Sequence, residues 1–113
     1  MNGDVIRGYY AAYQSKDRAA IEALVSADFT FTSPYDDHID RARYFEKCWP
    51  NSGEHQTFWI EKLFENGDEA FVRYKLELKS GVAFRNTEFL RLRDGKICEV
   101  EVYFGSDKGT VDD

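Results

Sequence analysis

Three carboxylates and one histidine fall within five positions: Asp36, Asp37, His38 and Asp40, in the stretch "SPYDDHID". An imidazole changes charge near neutral pH, and a carboxylate within hydrogen-bond reach of a substrate proton can remove it. Asp37 and His38 are therefore candidate proton-transfer groups, with Ser33 and Asp36 beside them as candidate ligand contacts. A turn accounts for Asp36 and Asp37 equally well, because aspartate favours turn positions, and Asp40 has the type and place of a helix N-cap. A metal held by Asp36, Asp37 and His38 would lack a further ligand. Two histidines and two distant cysteines fit no zinc spacing either, so no metal is expected.

Two further residues stand out by position. In residues 82–93 the alternation of a strand puts Phe84, Asn86, Glu88, Leu90 and Leu92 on one face and Arg85, Thr87, Phe89, Arg91 and Arg93 on the other. The first face is the more apolar, so Glu88 points at a core or pocket. There desolvation disfavours the charged form and lets the acid keep its proton. It is either a proton donor or a structural acid bonded to a buried Tyr or Asn. Tyr9 lies on the apolar stripe of a helix, and its hydroxyl needs a partner, for which Glu88 is a candidate. Tyr10 and Tyr13 are alternatives if the helix phase differs.

The elements that position these groups follow from periodicity. Val5, Ile6, Tyr9, Tyr10, Ala12 and Tyr13 recur at helical spacing over residues 4–15, with Asp4 as N-cap. Asp17 caps a second helix through about Val25, with Ile21, Leu24 and Val25 as its buried stripe. "DFTFTS" alternates as a strand that brings Phe31 and Ser33 to one side. Asp40 opens a third helix through about Cys48, stopped at Trp49-Pro50. Strands follow over 55–65, 69–79, 82–93 and 97–104, joined by "NGD", "KSG" and "RDGK" turns in an antiparallel meander. In the last strand Cys98, Val100, Val102 and Phe104 face a pocket, while Glu99, Glu101 and Tyr103 face outward. Trp49 and Trp59 are large enough to wall that pocket. The expectation is a single α+β domain over 1–113, with a core of about 3–105 and a polar tail over 106–113. Its curved antiparallel sheet wraps three N-terminal helices around a concave apolar space, the usual setting for a small-molecule site.

Composition narrows the partners. Among 113 residues 42% are hydrophobic and 16% aromatic, which specifies a folded globule, and a net charge of −6 argues against nucleic acid. No apolar run reaches the ~20 residues of a membrane span. Met-Asn-Gly-Asp leads straight into a helical pattern, without a leader. Cys48 and Cys98 sit in apolar company and are expected as free thiols in a reducing cytoplasm.

The order of these elements resembles the nuclear transport factor 2-like superfamily, in its SnoaL-like and ketosteroid-isomerase-like branch. The resemblance runs over about residues 3–105 and rests on "YYAAYQSKDRAAIEALVSADFTFTSP" and on "FLRLRDGKICEVEVYFG". It implies a cystatin-like roll, a small apolar or enolisable ligand, no cofactor, and a homodimer through the outer sheet face. It also implies chemistry of the isomerase, cyclase or dehydratase type, or else binding without turnover. Ketosteroid isomerases polarise an oxygen with a first-helix tyrosine, which matches Tyr9. Their second donor is a strand aspartic acid, which matches Glu88, one methylene longer. Their proton-shuttling aspartate precedes a proline, and here that position is Ser33, before Pro34. A hydroxyl cannot act as a carboxylate base, so another group must move the proton. Fold alone assigns no reaction.

Overall fold

The computed structural model describes residues 2–49 and 56–105. Helix α1 (Asn2–Ser15) and helix α2 (Arg18–Leu24) are followed by strands β1 (Val25–Ser33) and β2 (Asp36–Asp40). A helical turn α3 (Arg41–Arg43) runs on as a π-helical turn (Tyr44–Cys48). Four long strands close the fold: β3 (Gln56–Asn66), β4 (Glu69–Leu78), β5 (Ala83–Arg93) and β6 (Lys96–Phe104). The expected tail at 106–113 lies outside the described residues. Among the described residues no helix is long and apolar enough to cross a membrane.

Local chemistry accounts for most of these boundaries. Asp17 caps α2 by accepting from the Ala20 amide at 3.1 Å, and Asp40 caps α3 by accepting from the Arg43 amide at 2.9 Å. Helix α1 begins at Asn2, so Asp4 sits in its first turn rather than at the cap, where its charge still suits the helix dipole. The β5–β6 turn places Asp94 at φ 53° and Gly95 at φ 77°, both left-handed, as a two-residue Asp-Gly hairpin requires.

One six-stranded sheet runs β2-β1-β6-β5-β4-β3. The meander β3–β6 is antiparallel as expected. β1, however, pairs with β6 in parallel, so the sheet is mixed. A parallel pair needs a crossover. Here the chain between β1 and β6 supplies it by passing through β2, the third helix and the whole meander. A second departure is β2, which forms a strand where a turn was expected. The third helix is correspondingly short: one α turn, then a π turn whose Trp49 amide donates to the Tyr44 carbonyl five residues back, at 3.1 Å.

The core lies between the concave face of the sheet and the helices. Ile6 and Ile21 from the helices, Phe29 from β1, Tyr44 from the π turn, Val72 from β4, Leu90 from β5 and Val100 from β6 are all fully buried. On β5, Asn86, Glu88, Leu90 and Leu92 face inward as their alternation requires. Replacing Phe29 with alanine removes a fully buried ring that packs on Tyr44 at 5.1 Å. Urea denaturation should show a loss of about 3–5 kcal/mol. K79A, in the exposed turn between β4 and β5, should stay within about 0.5 kcal/mol of wild type.

Candidate functional site

Glu88 is 6% exposed and lies on β5 between Val72 of β4 and Val102 of β6 in register. Tyr74 pairs with Asn86, two residues along, so its side chain stands diagonally from Glu88 on the same face. Its phenol donates to Glu88 Oε2 at 2.5 Å, and Tyr10 from α1 donates to Oε1 at 2.7 Å. The chain of bonds continues outward. Asn86 Nδ2 donates to the Tyr74 hydroxyl at 3.2 Å, and the Gly105 amide donates to Asn86 Oδ1 at 3.3 Å. Each buried polar group in this chain has a partner, as burial demands.

Burial dominates the protonation of this cluster. It pushes the Glu88 carboxyl above the usual glutamate range, and the bonds from Tyr74 and Tyr10 draw it back only in part. Burial, followed by the charge of Glu88, raises Tyr10 and Tyr74 well above the usual phenol range. Tyr9 is raised too, first by burial and then by Tyr44, with which it shares a long hydrogen bond of 3.4 Å. The expected Tyr9–Glu88 bond is thus replaced by Tyr10–Glu88. The apolar stripe of α1 carries two adjacent tyrosines, and helix phase decides which one meets β5.

These groups close one end of a cavity of about 470 Å³. Tyr9, Tyr10, Tyr44, Tyr74 and Glu88 line its buried end, with Phe31, Phe58 and Val102 as apolar wall. Tyr35 and Phe104, exposed and 5.8 Å apart between ring centres, stand at its mouth. Ser33, Asp36, Lys47 and Cys48 supply polar groups between the two ends. The Asp36 side chain is 8% exposed, ion-paired with Lys47, and accepts from the Cys48 thiol at 3.9 Å. Burial, then the nearby Asp36 charge, raises the Cys48 thiol. Both cysteines are free.

Of the residues singled out from the sequence, Tyr9, Glu88, Phe31, Ser33, Asp36, Val102 and Phe104 line the cavity. Asp37, His38, Trp49 and Trp59 do not. Strand pairing explains the first two. Ser33 pairs with Asp36 and Phe31 with Ile39, so Asp37 and His38 together oppose the single residue Thr32. This bulge keeps Asp36 and Ile39 inward and turns both intervening side chains outward, His38 at φ 53°. Trp49 packs on Tyr13 at 5.2 Å outside the cavity, and Trp59 is 45% exposed beneath the Lys75 ammonium. Tyr10 is the alternative named for a different helix phase, and it makes the bond; Tyr74 was not singled out as a partner of Glu88. Register counted from the two hairpin turns would have placed Tyr74.

A family model described as the SnoaL-like domain matches residues 6–100. The chain belongs to the SnoaL-like domain family. Solved structures agree on the fold. This SnoaL-like chain superposes on IdmH, a proposed polyketide cyclase from Streptomyces antibioticus, with a TM-score of 0.78 and 22% identity over 93% of this chain and 92% of that one. An NTF2-like protein of unknown function from Cytophaga hutchinsonii gives a TM-score of 0.77 and 20% identity over 92% and 89% of the two chains. An epoxide hydrolase of LEH-like type from M. tuberculosis gives 0.75 and 18% over 89% and 80%. No curated protein matches the chain. At these identities the likeness is one of fold, and proteins named for different activities share it.

The raised acid has a signed consequence for stability. A folded-state value above the unfolded one means that the contribution of Glu88 is fully present below the unfolded value, about 4.3. It is lost as pH rises through the folded value. E88Q stays neutral throughout, so its melting temperature relative to wild type should rise between pH ~4 and pH ~8. Calorimetric scans across that range check this. A difference that is flat or falls with pH would contradict a burial-raised Glu88.

Proposed function

We propose that the cavity binds a small, largely apolar molecule carrying a carbonyl, and that the protein performs acid/base chemistry on it, of the isomerase, cyclase or dehydratase type. The observation that carries this reading is the presence of two carboxyl groups of unlike environment in one apolar cavity. Glu88 is deeply buried and held by two phenols; Asp36 is charge-paired with Lys47 nearer the mouth. Their different partners, two phenols for Glu88 and an ammonium for Asp36, support Glu88 as the acid and Asp36 as the base.

In this scheme Asp36 removes a proton from the carbon beside the ligand carbonyl, and the electron pair moves onto the oxygen. The forming enolate accepts hydrogen bonds from the buried hydroxyl end of the cavity. Tyr9 and Tyr44 are suited to this, because their mutual bond of 3.4 Å is weak to give up. Protonated Glu88 can donate its proton to the oxygen or return one to carbon. Asp36 thereby takes the part foreseen for Asp37 or His38 and stands in for the carboxylate that Ser33 lacks. The second reading, binding without turnover, is favoured by one observation: both Glu88 oxygens already accept from tyrosines.

Solvent-deuterium incorporation into a panel of small cyclic ketones, preselected by thermal shift, separates the two readings. Wild type should exchange the proton next to the carbonyl, with D36N slower by about 10²–10⁴-fold and binding retained. Ligands that bind without exchange would support the binding domain. Exchange unaffected by D36N would remove Asp36 from the chemistry.

We also propose a homodimer through the outer sheet face. Phe64, Phe71 and Phe89 lie side by side in register across β3, β4 and β5, with Phe64 and Phe71 exposed. Such an apolar row on an open face is a common partner surface. Sedimentation velocity should give a dimer for wild type and a monomer for F71E; a wild-type monomer at all concentrations would refute this.

A further inference from the structure

The bulge that turns Asp37 and His38 out of the cavity brings them to acidic residues of β6. Glu99 and Glu101 alternate onto the outer face of β6, beside Thr30 and Thr32 of the parallel strand β1. His38 lies over them from β2, its backbone amide donating to Thr32 Oγ1 at 2.9 Å. Its Nε2 is 3.5 Å from Glu99 Oε2 and 3.9 Å from Glu101 Oε2, and the three atoms fit within 4.8 Å of one another.

We propose that His38, Glu99 and Glu101 form a site for a divalent transition-metal ion, zinc in the first place, on the outer face of the sheet. A tetrahedral zinc with ligand bonds of about 2.0–2.2 Å sets its ligand atoms about 3.4 Å apart. The separations from Nε2, 3.5 and 3.9 Å, lie within about half an ångström of that value. One imidazole and two carboxylates are a borderline donor set that suits zinc better than calcium or magnesium.

The second heteroatom of every ligand is held as well. His38 Nδ1 lies 2.6 Å from Asp37 Oδ1, Glu99 Oε1 is paired with Arg91 Nε at 3.4 Å, and Glu101 Oε1 accepts from the Tyr103 hydroxyl at 3.0 Å. Outer partners of this kind fix ligand orientation and tautomer. With the Nδ1 proton directed at Asp37, the Nε2 lone pair faces two carboxylate oxygens, an arrangement that calls for a cation between them. A proton can take that place, and the Asp37 bond, followed by the charges of Asp37, Glu99 and Glu101, raises the imidazole above its ordinary value. At neutral pH zinc competes with that proton and releases it on binding. The bound ion would tie the short edge strand β2 across β1 to β6. Asp36, on the same strand, faces the cavity.

Calorimetric titration of the untagged, chelator-treated full chain with zinc chloride at neutral pH tests this. Binding of one ion per chain is expected, weakened more than about 100-fold in H38A and in E101Q, weakened about 10–100-fold in D37N, and unchanged in H55A. Absence of stoichiometric binding, wild-type affinity in H38A, or loss of binding in H55A would overturn the site. Cobalt absorption of the wild-type chain needs no substitution. Intense visible bands of a four- or five-coordinate ion are expected, and the weak spectrum of the hydrated six-coordinate ion would overturn the proposal.

Discussion

A carboxyl group placed between Val72 and Val102 is the demand to which the middle of this structure answers. Left unpaired there, it would cost several kcal/mol or more. It is satisfied instead from two directions: Tyr74 reaches diagonally along the sheet, and Tyr10 reaches down from the helix. Those bonds fix the rotation of α1 over the sheet, since a turn of the helix by one residue would offer Glu88 a different side chain. They also hold the buried end of the cavity in a single polar geometry while its walls remain apolar. The acid, the helix phase and the shape of the cavity are one constraint.

The mixed sheet explains how the rest of the site reaches that acid. Because β1 joins β6 in parallel, Phe31 and Ser33 run alongside Val100 and Val102, and the β1–β2 turn arrives at the cavity mouth. The bulge in β2 then divides a dense acidic segment between two faces. Asp36 enters the cavity, and Asp37 and His38 leave it for the outer face. One extra residue in a strand thus separates the proposed base Asp36 from His38, a proposed metal ligand two positions away.

Much of this was legible in the chain. Alternation on β5 and β6 assigned Glu88 inward and Glu99 and Glu101 outward, and the hairpin turns set the meander, because period-two patterns and Asp-Gly turns act locally. Three features were not legible, each for a physical reason. Strand β2 has five residues, four of them polar, and no apolar alternation to announce it. Parallel pairing of β1 with β6 depends on contacts some seventy positions apart in sequence. The choice of Tyr10 over Tyr9 depends on a helix rotation that neither local propensity nor periodicity resolves. Phe89 was assigned outward by alternation, and its alignment with Phe64 and Phe71 into one row follows from strand register.

The central claim is that Glu88 sits in an environment that holds a proton on the acid beyond the ordinary range of glutamate. Carbon-13 NMR titration of the Glu88 side-chain carboxyl in the intact protein measures this directly. The account predicts a midpoint above the ordinary value of about 4.3, moving further upward when Tyr74 is replaced by phenylalanine and one of the two bonds that favour the charged form is lost. A midpoint at or below the ordinary value, or one indifferent to Y74F, would contradict it.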